Sequence, residues 1–205
     1  MKTLLRIDAS IRREGSHSRA LGDYFEDHWQ KANPNGTVIH RDLLSFNLPH
    51  LNHKTVEGFH TPENSLDQEL QEALELSNTL IAELKSVDEL LVCSPLYNFC
   101  VPSSLKAYFD HVTRAGHTFK VNAEGAYQGL INLDSAYLIT TKGSVYKGTP
   151  MEKLDFQEPY INTMASFLGF NINHAFSLEG TSDHAVLKDQ RTLMEEKIQT
   201  LFKIN

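Results

Sequence analysis

The chain has only two cysteines, Cys93 and Cys100, a single tryptophan, and no unbroken apolar run of membrane-spanning length. Two thiols make no disulfide scaffold, so stability must come from an ordinary core, and a reducing, cytoplasmic setting is the expectation. A membrane span needs roughly 18 or more consecutive apolar residues, and none is present. The first residues, Met1 to Asp8, have Arg6 and Asp8 breaking their apolar run and therefore read as a strand, not a signal peptide. Basic excess is also missing. The 19 Lys and Arg against 26 Asp and Glu leave a formal charge of −7, which offers no footprint for a nucleic-acid backbone. The ten histidines fall into no H-E-x-x-H or comparable ligand spacing, so no metal is expected. Neither G-x-G-x-x-G nor G-x-x-x-x-G-K-[ST] occurs, which excludes the usual dinucleotide and triphosphate loops.

What is present describes a globular domain. The composition is 40% hydrophobic and 22% charged, and 205 residues suffice to bury roughly 70% of the unfolded surface. No repeat, low-complexity tract or linker divides the chain, so residues 1–205 are expected to form one domain.

Short apolar runs alternate with stretches of helical period. Runs at Thr3 to Ile7, Thr37 to His40, Leu90 to Cys93, Ala136 to Thr140 and Ile172 to Leu178 read as five strands. Helices are expected after the first strand, with the stripe Leu21, Tyr24, Phe25, His28 and Trp29, then over about Ser65 to Ser86. Others should begin at Ser103, at Tyr160 to Leu168 and at Val186 to Phe202. Residues 42–64 show no convincing period and are expected to be an ordered functional loop. Thr118 to Val121 and Tyr127 to Leu130 suggest a hairpin outside the main sheet. The alternation predicts a flavodoxin-like, doubly wound α/β fold, with a five-stranded parallel sheet of order 2-1-3-4-5 and helices on both faces. The ends of strands 1, 3 and 4 then meet at one crevice.

Three loops feed that crevice. The first, Ser10 to Arg19, places Ser16, His17 and Ser18 at a helix start, where N–H groups and the helix dipole favour a phosphate. These serines also suit plain capping. The second is Pro95-Leu96-Tyr97-Asn98-Phe99-Cys100-Val101-Pro102. It offers aromatic walls, an amide and irregular backbone, which is what a flavin ring requires, although Tyr97 and Phe99 could equally belong to the core. The third, Thr141-Lys142-Gly143-Ser144, lets the backbone approach a flat ligand at its glycine.

Together these loops, with Leu105-Lys106-x-Tyr108-Phe109-Asp110, Arg114-Ala115-Gly116-x-Thr118-Phe119, Phe167-Leu168-Gly169-Phe170 and Glu179-Gly180, resemble the FMN-dependent NADH azoreductase and NAD(P)H quinone reductase family over nearly the whole chain. The resemblance implies tightly bound FMN, one per subunit, with NADH or NADPH as co-substrate and quinones or aromatic azo compounds as acceptors. It implies a ping-pong, two-electron cycle and a homodimer with shared active sites. Ser10, Ser16, His17 and Ser18 would hold the phosphate; Pro95, Leu96, Tyr97, Asn98 and Phe99 one side of the ring; Thr141, Lys142, Gly143 and Ser144 the other. No protein nucleophile is expected; Asn98, Phe99 and Gly143 would tune the flavin through hydrogen bonds. Ser144 stands where the family commonly has a second glycine, and Val121 where it often has an aromatic. The competing expectation is a flavodoxin-type electron carrier that uses FMN without turning over small substrates.

Overall fold

The computed structural model describes residues 1–46 and 48–203. Asn47 of the 42–64 segment, and the last two positions of the expected 1–205 domain, lie outside the described residues. Among the described residues, seven strands and six α-helices follow in the order β1 (Thr3–Asp8), α1 (His17–Ala32), β2 (Thr37–Asp42), α2 (His53–His60), α3 (Gln68–Lys85), β3 (Glu89–Pro95) and α4 (Ser103–Val112). Then come β4 (Phe119–Val121), β5 (Tyr127–Gly129), β6 (Ser135–Thr141), α5 (Gln157–Leu168), β7 (His174–Leu178) and α6 (His184–Leu201).

Five strands pair in parallel as β2-β1-β3-β6-β7, and β4 pairs with β5 in a separate antiparallel hairpin. The numbering departs from the expected 2-1-3-4-5 because the excursion contributes two short strands of its own. All seven residues of β3 are buried, as its unbroken apolarity and central place require. Successive side chains alternate between faces. Leu5, Ile7, Leu90, Val92 and Leu138 therefore join a core with α3, α4 and α5, while Leu4, Leu91, Cys93 and Ile139 join a second core with α1 and α6. No helix among the described residues is long and apolar enough to cross a membrane.

Two expectations need correction. Residues 42–64 are not wholly a loop: they contain α2 and a 3-10 turn at Glu63–Ser65. Only Thr55 and Gly58 of α2 are buried, so it has no apolar stripe to read, and it docks by laying the bare face of Gly58 on Leu74. Helix α5 starts three residues before Tyr160, because its first buried residue is the polar Gln157.

Candidate functional site

Strands β1, β3 and β6 end side by side, and the loops that leave them enclose a crevice of about 200 Å³. Ser10, Arg12, Ser16, His17, Pro95, Leu96, Tyr97, Thr141, Gly143 and Thr181 line it. Eight of the thirteen expected site residues are thus together. Of the other five, Asn98 and Phe99 sit exposed beyond Tyr97, and Ser144 is exposed beyond Gly143. The Ser18 hydroxyl is buried against Ser16 Oγ at 3.3 Å, and Lys142 turns its side chain away from the crevice. Arg12 and Thr181 were not expected there. Arg12 could have been found inside the first loop; Thr181 carries no local signal.

The first loop opens a helix with free donors. Ser16 caps α1 by accepting from Arg19 N at 3.4 Å, and the amides of His17 and Ser18 have no acceptor among the described residues. These are the free donors of a helix start, aligned with the positive end of its dipole. Arg19 reaches beneath, donating to Ser10 O at 2.8 Å and pairing with Asp42 at 2.5 Å, so the loop is fixed from below. Burial, then the charges of Arg12 and Arg191, hold the His17 pKa below its ordinary value. The loop therefore presents uncommitted donors and a guanidinium to an anion.

The second loop is a tight turn. Tyr97 N donates to Cys100 O at 2.9 Å and Cys100 N to Tyr97 O at 3.0 Å, with Asn98 at φ 48° and Phe99 at φ 68° between them. Two positive φ angles in a two-residue turn correspond to type I′. Asn tolerates that conformation; a bulky Phe does so at a cost of about 1–2 kcal/mol. They are the two non-glycine residues with positive φ among those described. Strain of this kind gathers where a ligand is held. The Asn98 and Phe99 amides have no acceptor among the described residues, and Phe99 is 44% exposed.

The third loop leaves β6 beside it, joined by Leu96 N to Thr141 O at 2.8 Å. Its carbonyls are occupied, with Lys142 O accepting from Thr181 N and Gly143 O from Ser182 N, both at 3.0 Å. The amides of Gly143 and Ser144 have no acceptor among the described residues. A Cβ on Gly143 would stand 3.1 Å from Ser182 Oγ, so a side chain there would press on the wall. Each of the three loops thus holds a pair of free amides, at 17–18, 98–99 and 143–144; His17 and Gly143 line the crevice, whose apolar side is Leu96 and Tyr97, and the other four residues follow lining residues in their loops. That donor set fits a flat, electron-accepting ring carrying a terminal phosphate.

The chain matches the flavodoxin-like fold over residues 1–201. It is 43% identical over 180 residues to an FMN-dependent NADH:quinone oxidoreductase of Marinomonas sp. (strain MWYL1), covering 88% of this chain and 89% of that protein. A protein of the same name from Nostoc punctiforme is 34% identical over 203 residues, covering 97% and 98% of the two chains. Among solved structures, an azoreductase from Bacillus anthracis superposes with a TM-score of 0.90 at 26% identity, covering 98% and 99%. On these matches and on its own sheet topology, the chain belongs to the flavodoxin-like fold family.

Proposed function

We propose that this chain is an FMN-dependent NAD(P)H oxidoreductase acting on quinones and aromatic azo compounds. The observation that carries the reading is that the three loops meeting at the ends of β1, β3 and β6 each hold a pair of free amides at or just beyond the lining of one crevice. The chemistry FMN supplies when bound is two-electron hydride transfer, from NADH or NADPH to the acceptor in ping-pong order. The names of the relatives, FMN-dependent NADH:quinone oxidoreductase and azoreductase, support the same assignment.

The protein's own residues bind, orient and exclude. Ser10, Ser16, His17 and Ser18 hold the phosphate, with Arg12 adding charge. Pro95, Leu96, Tyr97, Asn98 and Phe99 form one side of the ring site, and Thr141, Gly143 and Ser144 the other. Free N–H groups of Asn98, Phe99 and Gly143 would serve as preorganised donors to the ring's polar edge, where negative charge develops on reduction. Lys142 acts at one remove, through the packing behind its loop.

The working unit is read as a homodimer with shared sites, each subunit being a single domain of residues 1–205. A crevice of about 200 Å³ falls below the roughly 300 Å³ at which ligand pockets begin, which supports completion by a second copy. Exposed Phe99, Phe156 and Tyr127 supply apolar surface for such a contact. A reducing, cytoplasmic setting accords with the unpaired Cys93 and Cys100.

The test is anaerobic. Protein loaded with FMN is mixed with NADH or NADPH and then with benzoquinone. Loss of the 450 nm flavin band followed by its return supports the enzyme; a band that neither nucleotide bleaches leaves the electron carrier.

A further inference from the structure

Four consecutive residues at the start of α5, Asp155 to Glu158, reach both ring-side loops. Phe156 N donates to Phe99 O at 2.9 Å, within the strained turn. Gln157, wholly buried, donates through Nε2 to Ser94 O and Ser94 Oγ, both at 3.0 Å, at the end of the strand that launches the same turn. On its other side the segment grips the loop after β6. Lys142 Nζ lies 2.6 Å from Asp155 Oδ2, 2.8 Å from Glu158 Oε1 and 3.1 Å from Glu179 Oε1, with its side chain 2% exposed. Glu179 Oε2 in turn accepts from Tyr146 N at 2.7 Å and Lys147 N at 3.0 Å, so the loop is held over residues 142–147.

A lone surface ion pair contributes little, but this cation is buried among three carboxylates. Removing it leaves uncompensated charge inside the protein, which is strongly destabilising. Burial alone works against the Lys142 charge; hydrogen bonds to Asp155 and Glu158 outweigh it and hold its pKa above the ordinary range. The arrangement is therefore a fixed strut rather than a labile surface contact. Beyond the β3–β6 ladder and the strand-end bond from Leu96 N to Thr141 O, this segment ties the two walls of the slot together.

We propose that Asp155 to Glu158, acting through Gln157 on one wall and Lys142 on the other, form a brace that sets the spacing of the two ring-side loops before FMN binds. Lys142 and Gln157 are then positioning residues that touch neither cofactor nor substrate. The inference rests on the FMN reading above, yet its main readout needs no flavin.

Amide hydrogen exchange on the FMN-free protein provides the test, with FMN affinity measured alongside. Lys142→Met makes no direct change at Tyr97 or Cys100, yet the brace predicts that their bonded amides exchange at least tenfold faster. Gln157→Met should accelerate the Tyr146 and Lys147 amides likewise. In both variants α1 and β2 amides should keep wild-type rates, and FMN should bind about tenfold more weakly. Lys142→Arg, which keeps the cation, should restore both within about twofold. If Lys142→Met fails to fold, Asp155→Asn gives a smaller effect of the same sign. Acceleration confined to the mutated loop, uniform acceleration of the whole molecule, or unchanged FMN affinity would each overturn the brace. Wild-type protein that binds no FMN would instead overturn the functional reading and leave the exchange result standing.

Discussion

Asn98 offers the sharpest separation of backbone from side-chain effects in the proposed ring site. It holds φ 48° in a turn whose other central residue, Phe99, already bears left-handed strain, and its side chain is exposed with no partner among the described residues. Two substitutions split its roles. Asn98→Gly keeps the conformation without steric cost and removes only the amide, a loss of about 0.5–1.5 kcal/mol if that group bonds the flavin. Asn98→Leu removes the amide and puts a residue that tolerates the left-handed region less well than Asn in its place, so the turn relaxes in the apoprotein and FMN binding must restore it at about 1 kcal/mol. Together these come to about 2 kcal/mol, and at 1.4 kcal/mol per decade the dissociation constant for FMN rises roughly thirtyfold. The glycine variant should weaken binding by only about tenfold or less. Titrating apoprotein into FMN and following flavin fluorescence measures both. Because residue 98 is exposed and its turn is free to relax, apoprotein melting temperatures should change little. The reasoning is refuted if both variants bind as wild type does, or if glycine proves worse than leucine.

Further outcomes follow from the same geometry. Ser16→Ala should lower FMN affinity yet leave riboflavin affinity unchanged, since only FMN carries the phosphate; an equal fall for both ligands would remove the phosphate from the start of α1. Gly129→Ala would put a Cβ 2.1 Å from Gly169 N and 2.2 Å from Leu168 C, backbone that cannot swing aside. The expected cost is about 3 kcal/mol, the upper end for overpacking, or roughly 6–12 °C in Tm; an unaltered melting curve contradicts it. For Glu158, burial raises the pKa, but hydrogen bonds and charge from Lys142 outweigh it and hold the carboxyl below 4.5. A depressed folded-state pKa gives stability that is present above pH 4.5 and lost as pH falls below it. Denaturant midpoints between pH 5 and 3 should therefore fall more steeply for wild type than for Glu158→Gln; parallel profiles would show that the carboxylate is not stabilised by Lys142.

The parts of the fold that were legible in the sequence are those whose burial is apolar. β3 reads as a central strand because Leu90 to Cys93 leaves no polar break, and α3 because Leu70, Leu74, Leu80, Ile81 and Leu84 keep its period. Helix α2 was hidden because it docks through Thr55 and Gly58, and the first turn of α5 because Gln157 is buried by hydrogen bonding to a residue 63 positions away. The crevice was legible for a different reason: each wall is one local loop at a strand end, where composition alone signals ligand chemistry. The direction of the Lys142 side chain was not legible for the same reason. Its position lies in the crevice loop, but the carboxylates that draw its side chain into the interior, Asp155 before α5, Glu158 within it and Glu179 after β7, are brought together only by tertiary packing.

The central claim is that three loops hold one FMN, and amide chemical shifts in ¹⁵N-labelled apoprotein titrated with FMN test it most directly. The account predicts saturable shifts at one equivalent per chain, concentrated at His17 and Ser18, Asn98 and Phe99, and Gly143 and Ser144. Shifts that leave those six amides unmoved, or gather elsewhere on the molecule, would contradict it.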